Sequence, residues 1–368
     1  MLGAMRHRAR TMHAMTSFSR RDFCLLALSG LAAAPVLSKT AQPLRDPMDR
    51  PSLSSRRAAQ VLLTAVRRAG PRLVAVGERG VILTSDDHGS SWVQRSSPVS
   101  VMLTNVFFRS ADVGWAVGHA GVVLRTQDGG QTWSRNLDGV ALAKVVLKAA
   151  QTLGHEAQAA AKLLVRDGPD KPLLDVYEDD ELGLVVVGAF GLILRSGDGG
   201  MSWESWMPRV PNAAGSHIYA LLRQGRALYL AGEQGNVWRS LDSGRSFEAM
   251  ALPYKGSFFG ATSLGEHDVV AYGLRGNALV SRQGRSAWEM LRLPTTATIN
   301  TGMRARDGST LLATQAGELL RTKDEGQSFS LLDAGTTAPI LGMAQAADGT
   351  IVLVGLRGAT RVAASVIF

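Results

Sequence analysis

"GHAGVVLRTQDGGQTW", Gly118 to Trp133, decides how the rest of this chain is read. The phrase returns as "GERGVILTSDDHGSSW" from Gly77 and as "GAFGLILRSGDGGMSW" from Gly188. Aligned on the Gly-x-x-Gly, seven copies begin at Gly77, Gly118, Gly188, Gly232, Gly273, Thr314 and Gly355, spaced by 41, 70, 44, 41, 41 and 41 residues. A single period with one insertion marks a propeller or a solenoid. Each copy has an apolar run before the glycine pair, such as "RLVAVG" or "LYLAG". Another lies upstream ("LTNVFF"), a third follows the pair ("VVLRT"), and "SW" or "SF" opens a fourth. Four short runs divided by turn residues read as four strands. Four-stranded blades set radially leave only short, protected edges. The expected fold is all-β, a seven-bladed β-propeller.

The second half of the phrase, Ser/Thr-x-Asp-x-Gly-x-Ser/Thr-aromatic, is an Asp-box. The carboxylate can accept from backbone N–H groups across a hairpin turn. The glycine supplies a positive φ, the hydroxyl closes the turn, and the aromatic ring packs beneath it. Five boxes are intact: Asp87 with Trp92, Asp128 with Trp133, Asp198 with Trp203, Asp242 with Phe247, and Asp324 with Phe329. In the fifth repeat Gln283 and Arg285 replace Asp and Gly, and only Trp288 survives; the seventh has no box. Recurrence in register gives these residues a structural role rather than a catalytic one.

The seventh repeat ends too early for a fourth strand. The N-terminal closing segment, residues 42–59, is expected to supply it through Pro43 to Ser55. The long spacing holds an insertion at 138–171, Ala-rich and helical in period. Leu142, Val146, Ala149, Leu153, Ala157, Ala160 and Leu164 make one stripe; Lys144, Lys148, Gln151, His155, Gln158 and Lys162 make the other. Asp138 caps the start, Gly168-Pro169 stops the end, and Gly154 can kink or split the helix. If the innermost strand leads each blade, the insertion shares one face with the Gly-x-x-Gly loops, and the Asp-boxes occupy the other. The expected partner-binding residues lie on the first face: Arg79, His119, Phe190, Arg275, Arg357, Lys144 and Lys148.

The net charge is +9, but the first 41 residues hold six Lys or Arg and one Asp, leaving +4 for the remainder. The basic balance is therefore not read as nucleic-acid affinity. "SRRDFCLLALSGLAAAP", Ser19 to Pro35, pairs two arginines with a short apolar run and then small residues. That is the pattern of a twin-arginine export signal over residues 1–41, and its apolar run is far shorter than a spanning helix needs. The expected location is the periplasm. The single cysteine, Cys24, falls inside this segment, so the remainder can form no disulfide and no thiolate site.

Chemistry-bearing motifs are sparse. The seven histidines show no ligand spacing, and there is no nucleophile elbow and no phosphate loop. A sialidase of Asp-box type would need an arginine triad and a Tyr–Glu nucleophile; the Arg-Ile-Pro signature is missing. Tyr177 stands beside an acidic run, Glu178 to Glu181, which reads as a solvated turn. The expectation is a chain without metal or cofactor, not an enzyme, binding neither nucleic acid nor a small-molecule substrate.

Over residues 60–360 the repeated "VGxxGxxLRTxDGGxTW" pattern resembles the photosystem II stability/assembly factor family. Arg166 to Trp206, "RDGPDKPLLDVYEDDELGLVVVGAFGLILRSGDGGMSWESW", looks most like its non-photosynthetic bacterial branch. The resemblance implies an exported, seven-bladed, non-enzymatic scaffold whose partner is a membrane protein or envelope complex. It also implies an arginine patch, to which Arg79, Arg275 and Arg357 are compared. The competing expectations are an Asp-box glycoside hydrolase and a photosystem II assembly factor in the strict sense.

Overall fold

The computed structural model describes residues 45–367. The export-signal expectation, with Cys24, lies outside them, as do residues 42–44 of the closing segment. Seven antiparallel sheets follow one another in chain order; six have four strands and the last has three. Their first strands are Leu63–Ala69, Leu103–Phe108, Leu173–Asp179, Ile218–Gln224, Phe258–Ser263, Ile299–Arg304 and Ile340–Gln345. All seven line one central channel, so the innermost strand does lead each blade. The fold is the seven-bladed propeller read from the period.

The core is not one mass but seven, each between two neighbouring blades. Leu103, Val106, Ala116 and Leu124 of the second blade meet Val74, Val76 and Ile82 of the first. The aromatic of each box faces back into the core shared with the preceding blade: Trp133 toward the first, Phe247 toward the third, Trp288 toward the fourth. Trp92 does the same toward the seventh blade and so takes part in closing the ring. The core between blades six and seven has no box aromatic, because the seventh repeat has no box. Val362 and Ile367, the latter in the terminal helical turn Ala364–Ile367, fill that place instead. Arg321 donates to the Ile367 carbonyl and holds the tail down.

Closure differs from the expectation. No fourth strand pairs with Gly358–Val362 among the described residues. The segment after Arg45 runs instead along the outer edge of the first blade. Ser52 N–H donates to the Ser97 carbonyl (3.0 Å), and Gln94 both donates to the Leu53 carbonyl and accepts from Ser55 N–H, each at 2.8 Å. Met48 is buried in the core between blades one and two, and Arg135 binds the Met48 carbonyl and Asp49. The apolar anchor sets the path of residues 48–55 along blade one; only beyond them do Ala58 and Ala59 pack against blade seven, beside Gly358. The ring closes by face packing, with Leu63, Val66, Leu73 and Leu83 against Val352 and Val354.

The insertion forms two helices, α1 (Gly139–Ala150) and α2 (His155–Asp167), broken at Gly154. Asp138 caps α1 by accepting from the N–H groups of Val140 and Ala141, and Gly168 ends α2 at φ +86. Leu142, Val146 and Ala150 pack on the core between blades two and three, and Ala161 joins them from α2. Gly139 lies against Pro169, so the insertion leaves and re-enters the propeller at one spot. Among the described residues, no helix is long and apolar enough to cross a membrane.

Candidate functional site

The two ends of each blade are built differently. At one end sit the Asp-boxes. Asp128 accepts from the N–H groups of Gln131 (3.0 Å) and Thr132 (2.9 Å) and from both the Thr126 and Thr132 hydroxyls. Thr126 in turn accepts from Gly130 N–H at 2.9 Å. The bonds from Ser91, Ser202, Ser246 and Ser328 draw the carboxyls of Asp87, Asp198, Asp242 and Asp324 down to about 2. For Asp128, burial pushes upward, and the bonds from Thr132, Thr126 and Gln131 together outweigh it and lower the carboxyl. Every carboxylate oxygen is thus engaged within its own turn, which leaves these groups no capacity for acid chemistry.

At the other end are the Gly-x-x-Gly loops. The first glycine is forced: a Cβ on Gly77 would strike the Leu62 carbonyl oxygen, and the same holds at Gly118 against Met102 and at Gly188 against Pro172. The residue before the second glycine carries a side chain yet adopts a left-handed conformation: Arg79 (φ 53), Ala120 (φ 58), Phe190 (φ 57), Gln234 (φ 57) and Arg275 (φ 58). Such backbone costs energy for any residue with a Cβ. It projects three of the expected binding residues outward. Arg79, Arg275 and Arg357 are exposed. The side chains of all three, and of the exposed Lys144 and Lys148 on α1, have no ion-pair partner among the described residues. His119 is exposed at the first loop position. The three arginines occupy blades one, five and seven, so the structure puts them on one face but in separate loops.

Phe190 is brought into something the sequence did not announce. It is 50 % exposed and stands at the rim of an apolar groove of about 510 Å³ between the helical pair and the third blade, lined by Val146, Leu153, Leu163, Leu164, Met207 and Pro208. From Phe190 a line of rings runs toward the channel: His217 at 5.0 Å, Tyr219 at 6.1 Å from His217, and Phe259 at 5.2 Å from Tyr219. Lys171 lies over the Phe190 ring at 5.4 Å. Tyr219 and Phe259 also line the channel wall. Groove and channel are therefore joined by aromatic surface on the insertion face. The repeats hid this, because the rings are spread over three successive blades, Phe190 in the third, His217 and Tyr219 in the fourth and Phe259 in the fifth.

The channel itself, about 560 Å³, was also missed. Its polar residues fall within runs that read as plain strands. Asp175 accepts from Asn105 Nδ2 (2.7 Å), Val176 N–H (2.8 Å) and Leu221 N–H (2.8 Å), which ties blades two, three and four together. Burial pushes its carboxyl up to about 6 despite those bonds and the nearby Arg67. The acidic run forms the exposed turn expected at Asp180 and Glu181, but its side chains are engaged. Glu178 is buried and accepts from Trp115 Nε1 at 2.8 Å. Asp180 pairs with Arg109, and Glu181 pairs with Arg223 at 2.5 Å. These contacts latch blade three to both neighbours. Two tyrosines sit near carboxylates, Tyr177 by Asp179 and Tyr219 by Glu233 (3.3 Å each). Burial and the adjacent negative charge push both phenols up to about 12, the opposite of nucleophile activation.

A seven-bladed propeller with one open loop face and one closed turn face defines the class. Residues 71–140 match the family model of the photosynthesis system II assembly factor YCF48. A structure of YCF48 bound to a D1 peptide shares the fold with a TM-score of 0.61 and 18 % identity, covering 84 % of this chain and 98 % of that one. YCF48 from Cyanidioschyzon merolae is similar, at 0.61 and 15 %, covering 85 % and 97 %. A streptogramin B lyase has a TM-score of 0.64 at 12 % identity, covering 84 % and 95 %. No curated protein matches the sequence. The resemblance to photosystem II assembly factor-like propellers, first read from the repeats, is therefore met again in the family model and in the fold.

Proposed function

We propose that this chain is an exported, periplasmic propeller scaffold that holds a membrane protein or envelope complex during its assembly or upkeep, and does no chemistry on it. The carrying observation is the apolar groove beside α2, continuous through Phe190, His217 and Tyr219 with the channel mouth. Exposed apolar surface of that kind is what a protein partner covers. The YCF48 structure with a bound D1 peptide is a precedent for such a role on this fold. A hydrolase reading finds less support. Among the described residues one carboxylate, Asp175, lines the channel, and both tyrosine–carboxylate pairs keep their phenols protonated.

The test is site-specific photocrosslinking in cells. A photoreactive residue at Phe190 or Leu163 is expected to trap one membrane protein, while the same residue at Ser91, on the Asp-box face, traps none. Removing residues 139–166, whose flanking chain already meets at Gly139 and Pro169, should abolish the product. Equal trapping from both faces would overturn the assignment.

A further inference from the structure

The hairpin-side mouth of the channel carries an imbalance of charge that the fold does not resolve. Inner strands end there, and several end in arginine. In blades two and four, Arg109 and Arg223 are neutralised by the acidic turn of blade three, through Asp180, Asp179 and Glu181. In blades one and six, which flank blade seven, the inner-strand arginines make no ion pair among the described residues. Arg67 and Arg68 close the first inner strand, Arg304 closes the sixth, and Arg306 follows two residues later. All four line the same cavity of about 560 Å³.

The partners of these four are neutral. Arg67 donates to the Val66 carbonyl (3.0 Å) and Arg68 to the Gly70 carbonyl (2.9 Å). Arg306 donates to the carbonyls of Ala346 (2.5 Å) and Ala347. Among the described residues, the Arg304 side chain has no hydrogen-bond or ion-pair partner. Asp307 pairs with Arg321 at 2.5 Å, Asp348 with Arg361 at 3.8 Å and Asp268 with Arg282 at 2.6 Å, while Glu266 and Glu325 share a second cavity with Arg304 without forming an ion pair with it. Asp175 is the one carboxylate lining the cavity. It lies deeper, at the third position of its strand, is held by three donors, and offsets Arg67 alone.

Like charges gathered around a walled cavity focus the field into it. Guanidinium forks match planar carboxylates and phosphate oxygens bidentately. We propose that this arc of Arg67, Arg68, Arg304 and Arg306 binds a small polyvalent anion, a molecule carrying two or more carboxylate or phosphate groups. The site opens on the Asp-box side, away from the groove proposed for a protein partner, and does not depend on that reading. It revises the expectation that the chain has no use for a small molecule.

Calorimetric titration of the intact protein at low salt, about 20 mM, tests it, since screening hides such sites at high salt. Citrate is the carboxylate probe and pyrophosphate the phosphate probe, with sodium chloride at matched ionic strength as the control. One saturable site for at least one probe is expected, and the probe that binds names the group. R67Q/R304Q should weaken it by about tenfold or more, and R304Q alone by a smaller factor. R304Q breaks no bond, so its fold is not at issue. R79Q/R275Q, on the opposite face, should leave the titration unchanged. No saturable binding of either probe, or binding indifferent to R67Q/R304Q, overturns the site. Partner crosslinking at Phe190 should survive R67Q/R304Q, which separates this failure from failure of the scaffold reading.

Discussion

The two loop sets of this propeller use the same turn-forming residues to opposite ends. In the Asp-boxes, side chains satisfy backbone: Asp128 takes four donors from its own turn. In the Gly-x-x-Gly loops, backbone displays side chain: left-handed Arg79, Phe190 and Arg275 point outward, and the two arginine side chains make no ion pair among the described residues. Regularity is thus spent on architecture at one end and on presentation at the other. A residue's recurrence across blades says little about function here; the informative residues are those that break the repeat.

The comparison can be broken most severely at the glycines that make the display loops possible. Gly188→Ala drives a Cβ into the Pro172 carbonyl oxygen, where backbone cannot yield. We expect a loss of about 3 kcal/mol or more, read as a shifted urea midpoint. A loss under 1 kcal/mol would show that the loop relaxes and that its geometry is not obligatory.

Next comes Asp175→Leu, which strands the Leu221 and Val176 N–H groups and the Asn105 amide. The expected cost is about 2 kcal/mol. This carboxyl is raised to about 6 in the folded chain, so the native state holds its proton more tightly than the unfolded one. Its contribution is complete below the unfolded value, near 4, and is lost as pH rises through about 6. Stability profiles of the wild type and the variant should therefore diverge across that window. Parallel profiles would refute the assignment.

Asp128→Ala should cost less, about 1 kcal/mol, because its donors are exposed to water. The box carboxyls act in the opposite sense to Asp175. Their folded values are lowered, to about 2 in four of the boxes, so their contribution is present above the unfolded value and fades as pH falls toward 2. Removing one box should shrink the acid limb of the stability curve and leave the limb between pH 4 and 6 intact. A variant that keeps the full acid limb would place its origin elsewhere.

The smallest stability effect belongs to R79Q/R275Q/R357Q. With no bonds to lose, the triple variant should stay within about 0.5 kcal/mol of the wild type by thermal melt. It should nonetheless reduce partner trapping at Phe190. Unchanged trapping would remove these arginines from the interface and leave the groove as its whole basis.

Much of this molecule could be read before it was folded. The blade period, the box residues, the leading inner strand, the cap at Asp138 and the break at Gly154 all follow from spacing and local chemistry. The failures have one source. Pro43 to Ser55 was assigned to blade seven because a three-strand repeat wants a fourth, yet burial of Met48 between blades one and two took the segment elsewhere. In the run Glu178 to Glu181 the turn is legible but its contacts are not, because its partners, Trp115, Arg109 and Arg223, stand 40 or more positions away in the chain. Phe190 was singled out by loop position, but nothing local linked it to His217, Tyr219 and Phe259.

The sequence by itself determined the repeat: its number, its four-strand grammar and the turns that punctuate it. These depend on contacts within about 20 residues, where propensity and hydrogen-bond geometry suffice. Only the tertiary structure decided what the ring encloses and what it shows. The channel, the aromatic line and the unneutralised arginines arise where inner strands of different blades converge. Charge and burial there depend on which side chains meet across the ring, and a repeat period carries no information about that.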